Sequence, residues 1–519
     1  MIRPPLALRP VAALSTVIFV LHLIVNRLSP YGFQRDELLY MAMGRHLRFW
    51  RMDFPPFVAL VAQAERFLLG DSIVAIRFLP SLTAALMVMM AALIARELGG
   101  GKFAQLLAAI AIAVSPLFLR AGDLFQPVVF DQLWWTLALY ALARLCSMAL
   151  RDDTLATAPR WWIVLGVACG VGLLTKFSLL FFGAALAGAL LLAPQRRVLL
   201  ASGPWFAVAI ALLLGSPSIV GQLRLHYPVL EQMRTLQGSQ LAHVSFWSFI
   251  VGQFHWGPAI LLMLGGALYL VIANRMRPYR TVGWACIGAF VLLLVLHGKS
   301  YYIGPIYPTL FAAGAAGFER WSAMLGGRSA PVLRTASVAL LVAYGALLFP
   351  IELPIVSPVQ TATYASRAGL SATTSTNMGV HLALPQDYAD MLGWPELVTA
   401  VAHAYDSLPP DKRAQVVVIA ENYGEAGALD FYGPRFGLPR VVCAAGSYWF
   451  FGPGDKPGTV AITLGVTRKD LEKFYETVTL AGRVLNEWGV PEESDVSIYV
   501  GEHPRATLQA VWPSLAGRN

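Results

Sequence analysis

The sequence predicts a polytopic α-helical membrane protein that ends in a soluble α/β domain. Three observations predict it. Of 519 residues, 57% are hydrophobic and only 13% charged, where a soluble globular chain carries about 25% charged residues. Apolar runs long enough to cross a bilayer recur up to residue 351 and then stop. The charge changes sign at the same place. Residues 1–351 hold 27 Lys and Arg against 12 Asp and Glu, net +15, whereas residues 352–519 hold 12 against 18, net −6. Two domains follow: a basic membrane domain, 1–351, and an acidic soluble one, 352–519.

The apolar runs lie at about 11–28, 73–95, 103–119, 127–150, 161–175, 178–193, 199–220, 247–273, 281–297, 302–318 and 333–351, roughly eleven helices. The first run lacks a small-x-small cleavage site and leads straight into a charged loop, so it reads as a retained helix.

Alternating the loops gives an orientation. One set carries Arg3 and Arg9; Arg96 and Lys102; Arg144, Arg151 and Arg160; Arg196 and Arg197; Arg275, Arg277 and Arg280; Arg320, Arg328 and Arg334. These loops are short and basic, as cytoplasmic loops are. The opposite set is then external: 29–72, 120–126, the Thr175–Lys176 turn, 221–246, 297–301 and everything beyond 351. The 29–72 loop is basic too, against the rule, and needs a functional reason for its charge.

Beyond residue 351 the period changes. A Pro/Ser/Thr-rich stretch at 350–376 reads as linker or loop. Residues 416–420 (VVVIA), 459–464 (TVAITL) and 496–500 (VSIYV) read as strands, and 468–485 as an amphipathic helix. The aromatic stretch GSYWFFGPGDKPG at 446–458 reads either as a sugar- or lipid-contacting loop or as the seam against the membrane domain.

Composition also excludes classes. The basic residues sit in short loops between apolar runs, so nucleic acid is not the partner; the lipid bilayer is. Four cysteines without a CxxC give no disulfide framework and no zinc site.

The expected external face gathers the unusual polar residues. The first loop has Arg35, Asp36 and Glu37 together and Asp53 in DFPP, with Arg45, Arg48 and Arg51 between them. Asp123 lies in the second loop and Asp131 near the start of the fourth run. Lys176 interrupts GVGLLTKFSLL, and Lys299 opens KSYYIGPIYP, which also holds Tyr302. Ionisable groups at a membrane boundary are costly and mark function. Each has a plainer reading. Asp36 and Glu37 suit a helix start, Asp131 a helix cap, and the two lysines can reach lipid headgroups. Arg45, Arg48 and Arg51 read better as a headgroup-facing surface than as direct ligands.

Together, the Asp-Glu pair, the acid-x-Pro-Pro turn, GDLFQPVVFD at 122–131, GLLTKFS at 172–178, GKSYYIGPIYPTL at 298–310 and ENYGEAGALDFYG at 421–433 resemble the GT-C superfamily. These are polyprenyl-phosphate-sugar glycosyltransferases, here nearest the protein O-mannosyltransferases and the aminoarabinose transferase of lipid A. The chain departs from that pattern at Phe54, where many relatives have His or Lys.

The resemblance implies a GT-C-type membrane domain, with 29–72 as its catalytic first external loop, in the bacterial inner membrane. The active site and the C-terminal domain, which would shape the acceptor entrance, lie on the periplasmic or extracellular side. It implies transfer of a sugar from a polyprenyl-phosphate donor to a hydroxyl on a lipid, glycan or protein acceptor, with inversion. Asp36 is the expected base, Glu37 its support and Asp131 a further catalytic acid; Arg35, Asp53, Lys176, Lys299 and Tyr302 are the expected donor contacts. No cofactor is required by the residues and no metal cage is evident, although Asp36, Asp123 and Asp131 could share a divalent ion. A transporter, or a non-catalytic binder of lipid-linked sugars, are the alternative classes.

Overall fold

The structure, a computed structural model, describes residues 3–148, 159–192, 194–376 and 378–516; Arg151 lies outside them. Helix is found in every apolar run: Leu8–Leu28, Phe78–Glu97, Lys102–Ala113 with Pro116–Gly122, Pro127–Met148, Pro159–Thr175, Leu179–Leu192, Ser202–Arg224, Phe246–Trp256 with Ala259–Ile272, Arg280–Val295, Tyr307–Leu325 and Ser329–Glu352. Among the described residues, five helices are long and apolar enough to cross a membrane, or seven if each bent pair is one span. Length and composition therefore support fewer than the eleven crossings expected. The bends have local causes. The 62° bend falls at Ser115–Pro116, where the residue before proline is pushed out of the helical region. The 108° bend falls at Gly257–Pro258, with Gly257 at φ +51° against the Tyr344 ring.

The two loop sets collect at opposite ends of the bundle. At one end Arg3 and Arg144 both pair with buried Glu97 (2.9 and 3.3 Å), Arg96 donates to the Pro4 carbonyl (2.9 Å), and Gly101 N donates to Glu319 (2.5 Å). At the other end the 29–72 and 120–126 loops meet the C-terminal residues.

The first loop is not extended. It holds two helices, Arg35–Arg45 and Phe57–Leu69. Gln34 and Glu37 form a capping box at the first of them: Gln34 Oε1 accepts from Asp36 N (2.7 Å), and Glu37 Oε2 accepts from Gln34 N (2.8 Å).

The C-terminal part carries a five-stranded sheet in the order β2-β1-β3-β5-β4, with β1 at Val416–Ala420, β2 at Val441–Cys443, β3 at Val460–Leu464, β4 at Tyr475–Leu485 and β5 at Asp495–Pro504. β1 is parallel to β2 and β3, and β5 is antiparallel to β3 and β4. β1 is an unbroken apolar run and β3 is interrupted only by the buried Thr463, which suits central strands covered on both faces. Two expectations are corrected. Of 468–485, only Arg468–Leu471 is helical and Tyr475–Leu485 is the edge strand β4. Its β-branched Thr477, Val478, Thr479 and Val484 pair with β5 around a bulge at Leu480/Gly482, which outweighs the helix-like spacing of the charges before it. The 350–376 stretch is not a bare linker. It holds the helix Pro358–Arg367, capped by Ser357, and Tyr364 OH donates to the Leu347 carbonyl (2.6 Å).

The sheet region docks on the first loop through the helix Tyr423–Tyr432. Its small residues allow close approach: a Cβ at Gly427 would stand 2.7 Å from Leu38 Cβ, and one at Gly424 would stand 3.3 Å from Arg35 Cβ. One apolar cluster runs through both, from Leu38, Met41 and Met43 to Val398, Val418, Leu429 and Ile462.

Candidate active site

Asp36 sits in the first turn of Arg35–Arg45, at the join between the membrane bundle and the sheet region. Its half-buried carboxylate accepts from Tyr423 OH through Oδ1 (2.9 Å) and from Gln126 Nε2 through Oδ2 (3.3 Å). Burial pushes the acid up from its ordinary value, against the pull of the Arg35 charge and the Tyr423 hydrogen bond. Arg35 lies over the Tyr423 ring at 4.7 Å and pairs with Glu492 at 3.3 Å and Asp390 at 3.8 Å.

Two lysines share this crevice. Lys299 is buried and donates to Gln240 Oε1 at 2.6 Å. Burial and the charge of Lys176 lower its pKa to about 8, while Asp36 and Asp387 act to raise it. Lys176 lies over the Tyr302 ring at 4.7 Å. Tyr302 packs edge-on against Tyr301 at 4.8 Å, and Lys299 faces Tyr301 at 5.9 Å. Asp36, Lys176, Lys299 and Tyr302, drawn from three distant segments, thus meet on one face.

Of the other expected site residues, Asp131 lies within electrostatic reach of Lys176 and Arg35 stands beside Asp36 on Tyr423, whereas Glu37 and Asp53 are engaged elsewhere. Glu37 is fully buried and its oxygens are taken. Oε1 accepts from Arg77 Nε (2.8 Å) and Phe125 N (2.7 Å), and Oε2 accepts from an Arg77 terminal nitrogen (2.7 Å) and Gln34 N. Such a carboxylate has no lone pair to spare, so Glu37 positions the loop and is not placed to share proton transfer. Asp131 is the fifth residue of Pro127–Met148, not its cap, and accepts from Ser178 Oγ at 2.8 Å. Asp53 accepts from Ser447 Oγ at 2.7 Å, tying the loop to the sheet region, and burial raises its pKa to about 6. Phe54 packs into the shared apolar cluster. Asp123 pairs with His22 Nδ1 at 2.9 Å. Among the described residues no three His, Cys, Asp or Glu side chains gather as a ligand set, so the shared-ion arrangement of Asp36, Asp123 and Asp131 is not formed.

Gln126, Tyr423 and Gln240 were not expected at the site. Two of them stand inside the sequence stretches GDLFQPVVFD and ENYGEAGALDFYG, which was the signal available; Gln240 had none.

Comparison with known proteins follows the same lines. A family model described as dolichyl-phosphate-mannose-protein mannosyltransferase matches residues 53–220, which include Asp53, Asp131 and Lys176 but not Asp36 or Lys299. No curated protein sequence matches. Among solved structures, ArnT from Cupriavidus metallidurans bound to undecaprenyl phosphate superposes with a TM-score of 0.60 at 15% identity, covering 95% of this chain and 98% of that one. The same protein in its apo state gives 0.58 at 16% identity, covering 98% and 99%. The oligosaccharyltransferase of Archaeoglobus fulgidus in complex with Zn and sulfate gives 0.50 at 12% identity, covering 86% of this chain and 68% of that one. In fold along nearly its whole length, and in sequence over residues 53–220, the chain is a multi-pass membrane protein similar to the GT-C polyprenyl-phosphate-sugar glycosyltransferases.

Proposed function

We propose that the chain moves a sugar from a polyprenyl-phosphate donor to an acceptor hydroxyl, with inversion. The observation that carries this reading is the grouping of Asp36, held by Tyr423 and Gln126, with Lys299 and Lys176, Lys299 lying within electrostatic reach of both Asp36 and Lys176. The acceptor oxygen attacks the anomeric carbon and the bond from that carbon to the phosphate oxygen breaks. The acceptor proton passes to Asp36. The departing lipid phosphate gains charge, which the lysines offset. A single displacement inverts the anomeric centre. The undecaprenyl phosphate held by ArnT supports an isoprenoid phosphate as carrier. The test is to offer the purified protein a panel of polyprenyl-phosphate sugars and follow donor consumption by mass spectrometry. Consumption of none, with any hydroxyl acceptor, overturns the reading.

Lys176→Ala and Lys299→Ala should each weaken donor binding or turnover by about 10-fold or more, since a charge-assisted contact to phosphate contributes about 1.5–3 kcal/mol. Calorimetric titration with the donor and initial rates check this; wild-type values in both variants would leave the lysines as headgroup contacts. The pH profile of kcat/KM should be bell-shaped. Asp36 must be ionised to accept a proton, so activity rises with pH through its raised pKa. Lys299 must be protonated to meet phosphate, so activity falls as pH rises through about 8. Lys299→Arg should remove the alkaline limb and keep the acid one.

Within this reading residues 1–351 form the transfer domain and 352–519 a domain on the external, periplasmic face that shapes the acceptor entrance. A Cys at exposed Asp495 should react with a membrane-impermeant maleimide in cells whose outer barrier alone is permeable. Labelling that requires a broken inner membrane would reverse the orientation.

A further inference from the structure

A cavity of about 360 Å³, lined by both arginines and aromatic rings, lies between the first loop, the end of Ser202–Arg224 and the sheet region. Arg48, Arg51, Arg224 and His226 form one part of its lining and Trp449 and Trp512 another. It shares no lining residue with the Asp36 crevice. Arg35, Arg45 and Arg66 of the same loop each pair with a carboxylate. Among the described residues, Arg48, Arg51 and Arg224 pair with none, and the lining holds no acid. All three are exposed and set like charges around one opening, which a bound anion would offset by charge-assisted hydrogen bonds.

The frame is built to hold them there. His226 and Tyr227 both take positive φ, +62° and +60°, a conformation costly for side-chain-bearing residues that persists only where the surroundings over-determine it. Gln222 does so: its carbonyl accepts from Tyr227 N (2.7 Å), its Oε1 accepts from Val229 N (3.0 Å), and its Nε2 donates to the Asp53 carbonyl (2.5 Å). The corner that carries Arg224 and His226 is thereby pinned to the loop that carries Arg48 and Arg51. Opposite, Trp449 and Trp512 exchange indole N–H bonds to each other's carbonyls at 3.3 Å. The aromatic stretch thus splits: Tyr448 is buried and Phe451 stacks on His46 at 4.3 Å, making the seam, whereas Trp449 and Phe450 face this cavity.

Arg224 ends a helix of membrane-spanning length, and Leu223 and Trp50 beside it are exposed. The cavity therefore lies at the end of a helix of membrane-spanning length, where a lipid headgroup would reach it. We propose that it seats the anionic phosphate headgroup of a membrane lipid, at a site separate from the Asp36 crevice. Aromatic rings beside arginines suit a ligand that is charged at one end and apolar at the other. This also supplies the functional reason for a basic loop on the face where the positive-inside rule expects none.

The test measures binding and so reads independently of sugar transfer. Full-length protein in detergent is titrated with dioctanoyl phosphatidic acid, dioctanoyl phosphatidylcholine and inorganic phosphate. Phosphatidic acid should bind at least 10-fold tighter than either comparator. Arg48→Gln, Arg51→Gln and Arg224→Gln should each weaken it about 10-fold, and the triple Gln variant should lose it. The triple Lys variant should retain most of it, which separates lost charge from lost folding. The Lys176→Ala/Lys299→Ala double variant should bind like wild type. Wild-type affinity in the triple Gln variant, loss of binding in the double lysine variant, or equal affinity for phosphatidylcholine would each overturn the proposal. Equal affinity for inorganic phosphate would also overturn it, in favour of a free-phosphate site.

Discussion

Asp36→Asn should fold, bind the lipid-linked donor, and lose sugar transfer by about 10²–10⁴-fold, the contribution of a positioned general base. The change is nearly isosteric. Asn can still accept from Tyr423 OH through its oxygen, and a flipped Gln126 amide can accept from the new NH₂, so both contacts of the native carboxylate (2.9 and 3.3 Å) have replacements. What disappears is the ability to take a proton. Its capping contact also stays, because Gln34 Oε1 accepts from the backbone nitrogen of residue 36. Single-turnover assays with saturating donor, beside a donor-binding isotherm, separate the two effects. Turnover within a few-fold of wild type would remove Asp36 from the reaction and move the search to Asp131, which accepts from Ser178 in the fourth helical run.

Arg77→Ala should destabilise the protein by about 3–5 kcal/mol, the cost of breaking a buried ion pair from one side. Arg77 and Glu37 are both fully buried and meet through two parallel hydrogen bonds, Nε to Oε1 at 2.8 Å and a terminal nitrogen to Oε2 at 2.7 Å. Arg77 also donates to Asn26 Oδ1 at 3.2 Å and the Gly32 carbonyl at 3.1 Å. It therefore joins the first helix, the first loop and the start of Phe78–Glu97. Removing it leaves the Glu37 carboxylate buried without its counter-charge. Adding Glu37→Gln to Arg77→Ala should restore part of the loss, because the orphaned charge goes with it. Thermal unfolding followed by tryptophan fluorescence reads both variants. A single variant within about 1 kcal/mol of wild type would show that the pair does not hold the loop. Transfer should fall together with stability, since the same pair sets the helix on which Asp36 stands.

The sequence by itself determined the membrane bundle, the position of each helical run, the two sets of loops and three of the strands. These follow from hydropathy and local period: a 20-residue apolar run or an unbroken VVVIA carries its environment in its own composition. Asp36 stood out as a candidate for a related reason, since acids beside a membrane run are costly enough to need an explanation. Other features depended on partners far along the chain, and no local pattern encodes those. Asp36 and Glu37 are neighbours of the same chemistry, yet one meets Tyr423, 387 residues on, and the other meets Arg77, 40 residues on. One keeps a carboxylate in the crevice and the other is consumed as a structural anchor. Tyr475–Leu485 became a strand because β5 offered an edge to pair with, and its own charge spacing could not say so. Arg48 and Arg51 read from sequence as part of a headgroup-facing surface, and only the Gln222 corner and the docked sheet region add Arg224 and two tryptophans around the same cavity. The tertiary structure decided these roles because burial and pairing set what a charged side chain can do, and both are properties of the packed chain.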